Sequence, residues 1–225
     1  MNKEKAMNIT QKVNSWFTKA KTTGLVVIDV ESGGLNDETH LTDPKIPVGM
    51  TGAQFYPILE ITARFFDGNM EEIAEPQTFV LNPNVTSVEE LVAKCGEWST
   101  NQFKDSLFIE CVNSTVSLKD AESSITETLK AIGKDQWYIV GNSVSLDKAF
   151  ITHQMPELSA ALGYRIFDVS TLKIWFGLMF GDDAKFQKAG THRTAEDTDE
   201  TIKELMFYWN HFVKSRDLVA RELIA

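Results

Sequence analysis

The spacing of hydrophobic and polar positions changes several times along the chain, and each change marks an element. Residues 8–20 (NITQKVNSWFTKA) place Ile9, Val13, Trp16 and Phe17 at helical spacing. Gly24 then opens the run LVVIDV, whose length and unbroken apolarity predict a central strand covered on both faces. Residues 58–66 (ILEITARFF) and 72–81 (EIAEPQTFVL) read as two more strands, joined by the turn Asp67-Gly68-Asn69. Pro76 moves the third run to a sheet edge, since proline donates no ladder hydrogen bond. Between the first two strands, residues 36–57 hold three of the six prolines and no period, which predicts a long loop.

The second half alternates. Helical patterns over 87–98 and 117–132, the latter opening at Ser117, precede a short apolar run at 137–140 (WYIV) that ends on Gly141. A helix over 145–154, a short strand over 164–167 and helices over 168–180 and 194–213 follow. Strands first, then helices alternating with strands, predict an α/β fold: a mixed sheet with helices on its faces.

Composition narrows the class. The 225 residues are 43% hydrophobic and 24% charged, which fits one large globular domain with extensions. The expected division is an N-terminal helical extension (1–23), a central domain (24–213) and a short tail (214–225). No apolar run approaches the ~18 residues of a membrane span, and the basic N-terminus lacks the apolar stretch of a secretory signal. Cys95 and Cys111 make no disulfide framework and read as reduced thiols of a cytoplasmic protein. A formal net charge of −10 argues against nonspecific binding of long duplexes, which rests on neutralising many phosphates. It leaves room for a short nucleic-acid substrate, or one held through bound metal.

Three segments carry candidate chemistry. Asp29 and Glu31 end the LVVIDVE strand two residues apart, so they share a face. Asp147 falls in the first turn of the helix after Gly141-Asn142-Ser143, and Asp197 follows Thr194 in the segment His192-Arg193-Thr194-Ala195-Glu196-Asp197. Each has a plain explanation alone: a strand end reaching solvent, an acid complementing a helix dipole, a variant capping box. Together they form four carboxylates at strand ends and helix starts, which in an α/β sheet can converge on one crevice. Carboxylates so gathered repel one another. Two divalent cations that favour hard oxygen ligands, Mg²⁺ or Mn²⁺, would remove the conflict. Two such ions can clamp the entering and leaving oxygens of a phosphodiester, with His192 taking the proton of the attacking water.

At these residues the sequence resembles the DEDDh 3′–5′ exonucleases, and within them the oligoribonucleases. The segments VIDVESGGL, ILEITA, GNSVSLDKAF, MPEL, YRIFDVSTLK and GTHRTAEDTDETIKEL carry the resemblance, in the family's order. It implies a ribonuclease H-like fold, two divalent metals held by Asp29, Glu31, Asp147 and Asp197, and His192 as general base. It further implies short RNA as substrate and a homodimer. On the family's pattern Leu35 is a wedge between bases, Trp98 stacks on a base, and Ser143, Arg165 and Ser170 hold the far-end phosphate. Tyr164 reaches the partner subunit's site. Three departures bear on the substrate: Ser32-Gly33-Gly34 replaces the family's Met-Thr-Gly, Phe103 stands where a phosphate-contacting histidine is expected, and the 36–57 loop is long. Two other readings stay open: the same chemistry on longer single-stranded DNA or RNA, and a catalytically idle binding protein with this fold.

Overall fold

In the computed structural model, which describes residues 15, 18–188 and 192–212, five strands form one mixed sheet in the order β3-β2-β1-β4-β5. β1 (Thr23–Ser32), β2 (Ile58–Asp67) and β3 (Glu72–Val80) form an antiparallel meander. β4 (Gln136–Gly141) runs parallel to β1 on its other side, and β5 (Leu162–Asp168) runs parallel to β4. The helices, in chain order, are α1 (Gly52–Phe55), α2 (Val88–Lys94), α3 (Glu97–Phe103), α4 (Leu107–Asn113) and α5 (Leu118–Ile132), then α6 (Ser145–Gln154), α7 (Pro156–Ala161), α8 (Val169–Phe180) and α9 (Thr194–Phe212). The helix expected over 8–20 and the tail 214–225 lie mainly outside the described residues; 18–22 are helical.

β1 organises the molecule because its two faces do different work. Val26, Ile28 and Val30 enter a core shared with α5, α6 and α7, while Val27 enters a second core with Phe176 of α8 and Leu205 and Tyr208 of α9. Burying each such side chain stabilises by roughly 1.5–3 kcal/mol. A one-residue slip would drive Asp29 and Glu31 into the first core. The apolar row therefore fixes where the acids point.

The strands and long helices match the sequence pattern. Pro76 lies in β3, an edge strand. Ser117 caps α5 with Asp120 in a reciprocal capping box, and Gly133 ends it in the left-handed conformation at φ 70°. Two regions differ. The helix expected over 87–98 is broken into α2 and α3 at Cys95-Gly96, where Gly96 N–H leaves the helical pattern and donates to Gly33 O at 2.7 Å. The 36–57 loop contains α1 and buries Ile46, Ala53 and Tyr56. Its middle is tied to α2 by Lys45 Nζ, which donates to Cys95 O at 2.7 Å. The short helices α4 and α7 were not legible from periodicity, since seven and six residues hold barely one repeat.

Candidate active site

Asp29 and Glu31 continue the row of Leu25 and Val27 towards the C-terminal end of β1. Their cross-strand partners on β2 are Thr62 and Glu60. On the other side β4 pairs with β1 only as far as Val140 opposite Val27. Beyond that point the Val30 N–H is taken by Asp147, whose Oδ1 accepts it at 2.9 Å. The strand stops short at Gly141, and the first turn of α6 supplies a carboxylate in its place. A Cβ on Gly141 would press against Val144 and Ile28 O, so the tight exit into α6 needs glycine.

α9 closes the crevice. Its inner face carries Thr194, Thr198, Thr201, Glu204, Leu205 and Tyr208, all buried at helical spacing against the sheet. That face aims Asp197 at β1. Ligand atoms of Glu31, His192 and Asp197 all lie within 4.8 Å of one another. His192 Nδ1 stands 4.0 Å from Glu31 Oε1. The four acids and the histidine read from the sequence therefore surround one end of β1.

The electrostatics bear the marks of this crowding. Burial, then the neighbouring Asp147 and Asp197, holds the Asp29 carboxyl well above the usual range. Burial and the Asp29 and Asp197 charges push Glu31 up to about 8. Burial raises Asp147 to about 7 despite the Val30 hydrogen bond that opposes the shift, and burial raises Asp197. Two cations answer part of this charge. Lys188 draws down Asp29 and Asp197, and Arg193 draws down Glu31.

The residues expected to contact substrate divide between the rim of this centre and the β5 edge. Trp98, in α3, is half exposed and meets the His192 ring edge-on, centroids 5.5 Å apart. Its helix is docked on the turn after β1 through Gly96 N–H to Gly33 O and Ser99 Oγ to Ser32 O at 3.0 Å. That contact accounts for Ser32-Gly33-Gly34. A Cβ on Gly33 would meet Cys95 Sγ at 2.8 Å, and one on Gly34 would collide with the buried Tyr56 ring. Leu35 follows, half exposed, with its N–H donated to Glu38. Phe103 is buried against Trp98 and Phe108 and presents no polar group to the crevice.

Ser143 and Ser170 come together, their hydroxyls 3.3 Å apart, and the Ser143 N–H donates to Ser170 Oγ and Asp168 Oδ1. Ser143 holds φ 50°, a left-handed conformation for a residue with a side chain. Arg165 lies over the Tyr164 ring at 4.4 Å on edge strand β5. Tyr164 is exposed and shares a surface hollow with Ser145, Ala149 and Thr152 of α6 rather than with the acids.

Sequence reasoning missed Glu60, Arg193, Lys188 and Glu204. Buried Glu204 accepts from Asn142 Nδ2 at 2.9 Å and pairs with Lys188 at 3.4 Å. Lys188 also donates to Asn142 Oδ1 and Thr201 Oγ1. The available signal was a glutamate inside the apolar strand Ile58-Leu59-Glu60-Ile61, where a charge stays only if it is partnered.

No protein-family model matches the chain. Curated relatives do. It is 32% identical to the oligoribonuclease of Pseudomonas syringae pv. syringae over 192 residues, 84% of this chain and 96% of that one. It is 31% identical to the oligoribonuclease of Escherichia coli K12 over 206 residues, covering 87% and 98%. Among solved structures it superposes on exonuclease I of Methylocaldum szegediense with a TM-score of 0.59 at 12% identity. On the zinc-bound complex of E. coli exonuclease I with single-stranded DNA the TM-score is 0.57 at 11% identity. Each match covers 88% of this chain, which spans 42% of the Methylocaldum chain and 43% of the E. coli chain. The five-stranded mixed sheet with flanking helices is thus a ribonuclease H-like fold.

Proposed function

The chain belongs to the oligoribonuclease family, and on that premise we propose that it is a metal-dependent 3′–5′ exoribonuclease acting on short RNA. The observation that carries this reading is the convergence of Glu31, Asp197 and His192 at the end of β1, with Asp147 bonded to the backbone between Asp29 and Glu31. The donor set fits the group it implies. Four carboxylates offer hard oxygens, and their mutual repulsion and burial are relieved by divalent charge. Two Mg²⁺ or Mn²⁺ ions held by Asp29, Glu31, Asp147 and Asp197 would stabilise charge on the entering and leaving oxygens of a phosphodiester.

The chain's own residues account for the rest of the turnover. Trp98 stacks on a base, a contact worth roughly 1–3 kcal/mol, and Leu35 wedges beside it. Ser143, Ser170 and Arg165 hold the far-end phosphate. His192 accepts the proton of the attacking water while the water oxygen bonds to phosphorus and the P–O3′ bond breaks. The terminal nucleotide leaves as a 5′-monophosphate, and the departing 3′-oxygen takes a proton from solvent water, leaving the shortened chain with a 3′-hydroxyl.

Two finer points belong to this reading. β5, the last strand of the sheet among the described residues, and α8 expose Tyr164, Ile166, Ile174, Trp175, Leu178 and Phe180, an apolar surface that suits a second copy. Tyr164 would then reach the second copy's site. A protein that sediments as a monomer throughout the micromolar range would remove Tyr164 from that role. Two buried free thiols, both pushed up to about 12 by burial, fit a reducing cytoplasm.

Phe103 favours a second reading, because a buried phenyl ring supplies no donor to cap a short substrate's end phosphate. Labelled RNA and DNA from dinucleotide to ~20-mer, in Mg²⁺ with an EDTA control, separates the two. Metal-dependent loss of the RNA dinucleotide that slows steeply with length is the expected outcome. Equal rates on the dinucleotide and the long strand would favour a general single-strand exonuclease, and no hydrolysis at all would mean an idle fold.

A further inference from the structure

We propose that Arg193 is a positioning residue that ties the catalytic histidine to the base-stacking helices through a two-armed ion pair with Glu60 and Glu110. The proposal rests on the reading of His192 as general base and Trp98 as base platform.

The geometry uses the whole guanidinium fork. Nε and Nη2 donate to the Glu60 carboxylate, with closest contacts of 3.2 and 2.8 Å, and Nη1 and Nη2 donate to the two Glu110 oxygens at 3.0 Å each. Two bidentate contacts set both the position and the plane of the group, which a lysine ammonium cannot do. The two carboxylates belong to different parts of the molecule. Glu60 is buried on β2, directly opposite Glu31. Glu110 is half exposed on α4, just after the helix that carries Trp98. Arg193 therefore bridges the sheet that bears the acids and the helical segment that bears the aromatic platform.

His192 is the residue immediately before this bridge, and it needs holding. Its φ is 55°, in the left-handed region that a residue with a side chain seldom adopts. Such a conformation persists where its surroundings over-determine it. On the far side of Arg193, Glu60 also accepts the Thr194 N–H at 3.0 Å, and Thr194 Oγ1 lies 2.7 Å from Thr62 Oγ1. Backbone and side chain following His192 are thus pinned to β2 at three points. The histidine ring is left between Glu31 and the Trp98 ring, to which it stands nearly perpendicular. Moving the clamp would shift the ring relative to the crevice while leaving Trp98 on its own docked helix.

The test compares the full-length native chain with Glu110→Ala, Arg193→Lys and Arg193→Ala. Two readouts are taken: kcat and KM on an RNA dinucleotide in Mg²⁺, and the NMR resonances of the His192 ring, which the Trp98 ring current displaces. Misplacement by about 1 Å can cost ~100-fold in rate. Glu110→Ala removes one arm from an exposed helix position and should lower kcat about tenfold, with KM changed by less than about twofold. The His192 resonances should move towards those of a free imidazole. Both Arg193 variants should lose about 100-fold in kcat, with lysine giving no rescue. Arg193→Ala strands Glu60 beside Glu31, so if it fails to fold, Glu110→Ala decides. Native kcat and unmoved His192 resonances in Glu110→Ala would overturn the proposal, as would a loss of thermal stability alone. A native chain without turnover would instead overturn the exonuclease reading, and the ring resonances would then decide the clamp by themselves.

Discussion

Asp147→Asn is expected to lower turnover on an RNA dinucleotide by about a thousandfold or more. The substitution is nearly isosteric, and the amide oxygen can still accept the Val30 N–H that Asp147 Oδ1 holds at 2.9 Å. What it removes is one negative charge from the four carboxylates proposed to hold the cations. Bound cations stabilise a phosphoryl transition state by several kcal/mol, and each 1.36 kcal/mol is tenfold in rate. The same change should not weaken the fold in the absence of metal, because Asp147 is buried and faces the Glu31 and Asp168 charges. Rate on the dinucleotide in Mg²⁺ and Tm in EDTA, measured on the same purified protein, check both halves. An Asp147→Asn protein that turns over at the native rate would remove Asp147 from the metal site, whatever its stability.

The second large effect is on stability and joins pH to metal. Unfolded carboxylates titrate near ~4, whereas in the fold Glu31 is pushed up to about 8 and Asp147 to about 7, burial being the main cause. A carboxyl group whose folded value is raised favours the fold while protonated. Its contribution is complete below about pH 4 and is lost as pH rises through 7 and 8. The metal-free protein should therefore lose stability from this site between pH 5 and pH 8. Divalent cations held by the ionised set, as proposed, would add a stabilising effect that grows over the same interval. At 100 times the dissociation constant, linkage gives about 2.7 kcal/mol. In a chain of this length that corresponds to a Tm rise of about 5–10 °C. Melting in EDTA and in Mg²⁺ at pH 5 and pH 8 tests this. Equal Tm values in the two solutions at pH 8 would mean that the carboxylates do not hold a cation.

Much of the fold is written in local pattern. LVVIDV, ILEITARFF and WYIV became β1, β2 and β4 because strand-length runs dominated by apolar residues are buried on both faces. The start of α5 is written in Ser117 and Asp120, which satisfy each other's backbone donors without any distant partner. The break at Cys95-Gly96 is not legible, since its cause is the Gly33 carbonyl, far upstream in the chain and delivered by the sheet. Nor does the aperiodic 36–57 segment reveal that Ile46 and Tyr56 are core residues. Isolated apolar side chains so far apart make no period.

The site divides in the same way. The residue types and their order specify the acids and the histidine, because Asp29 and Glu31 must share a strand face and Asp147 and Asp197 must open helices beside it. The tertiary structure alone decided how that charge is held. Glu60 opposes Glu31 only through the β1–β2 register, Arg193 reaches Glu60 and Glu110 from a distant part of the chain, and Lys188 meets Glu204 only where α9 crosses the sheet. Strand faces and helix caps depend on neighbours a few residues away, so a sequence can express them. A buried ion pair depends on which distant segments the packed core brings within about 3 Å, and that is settled only when the whole chain has folded.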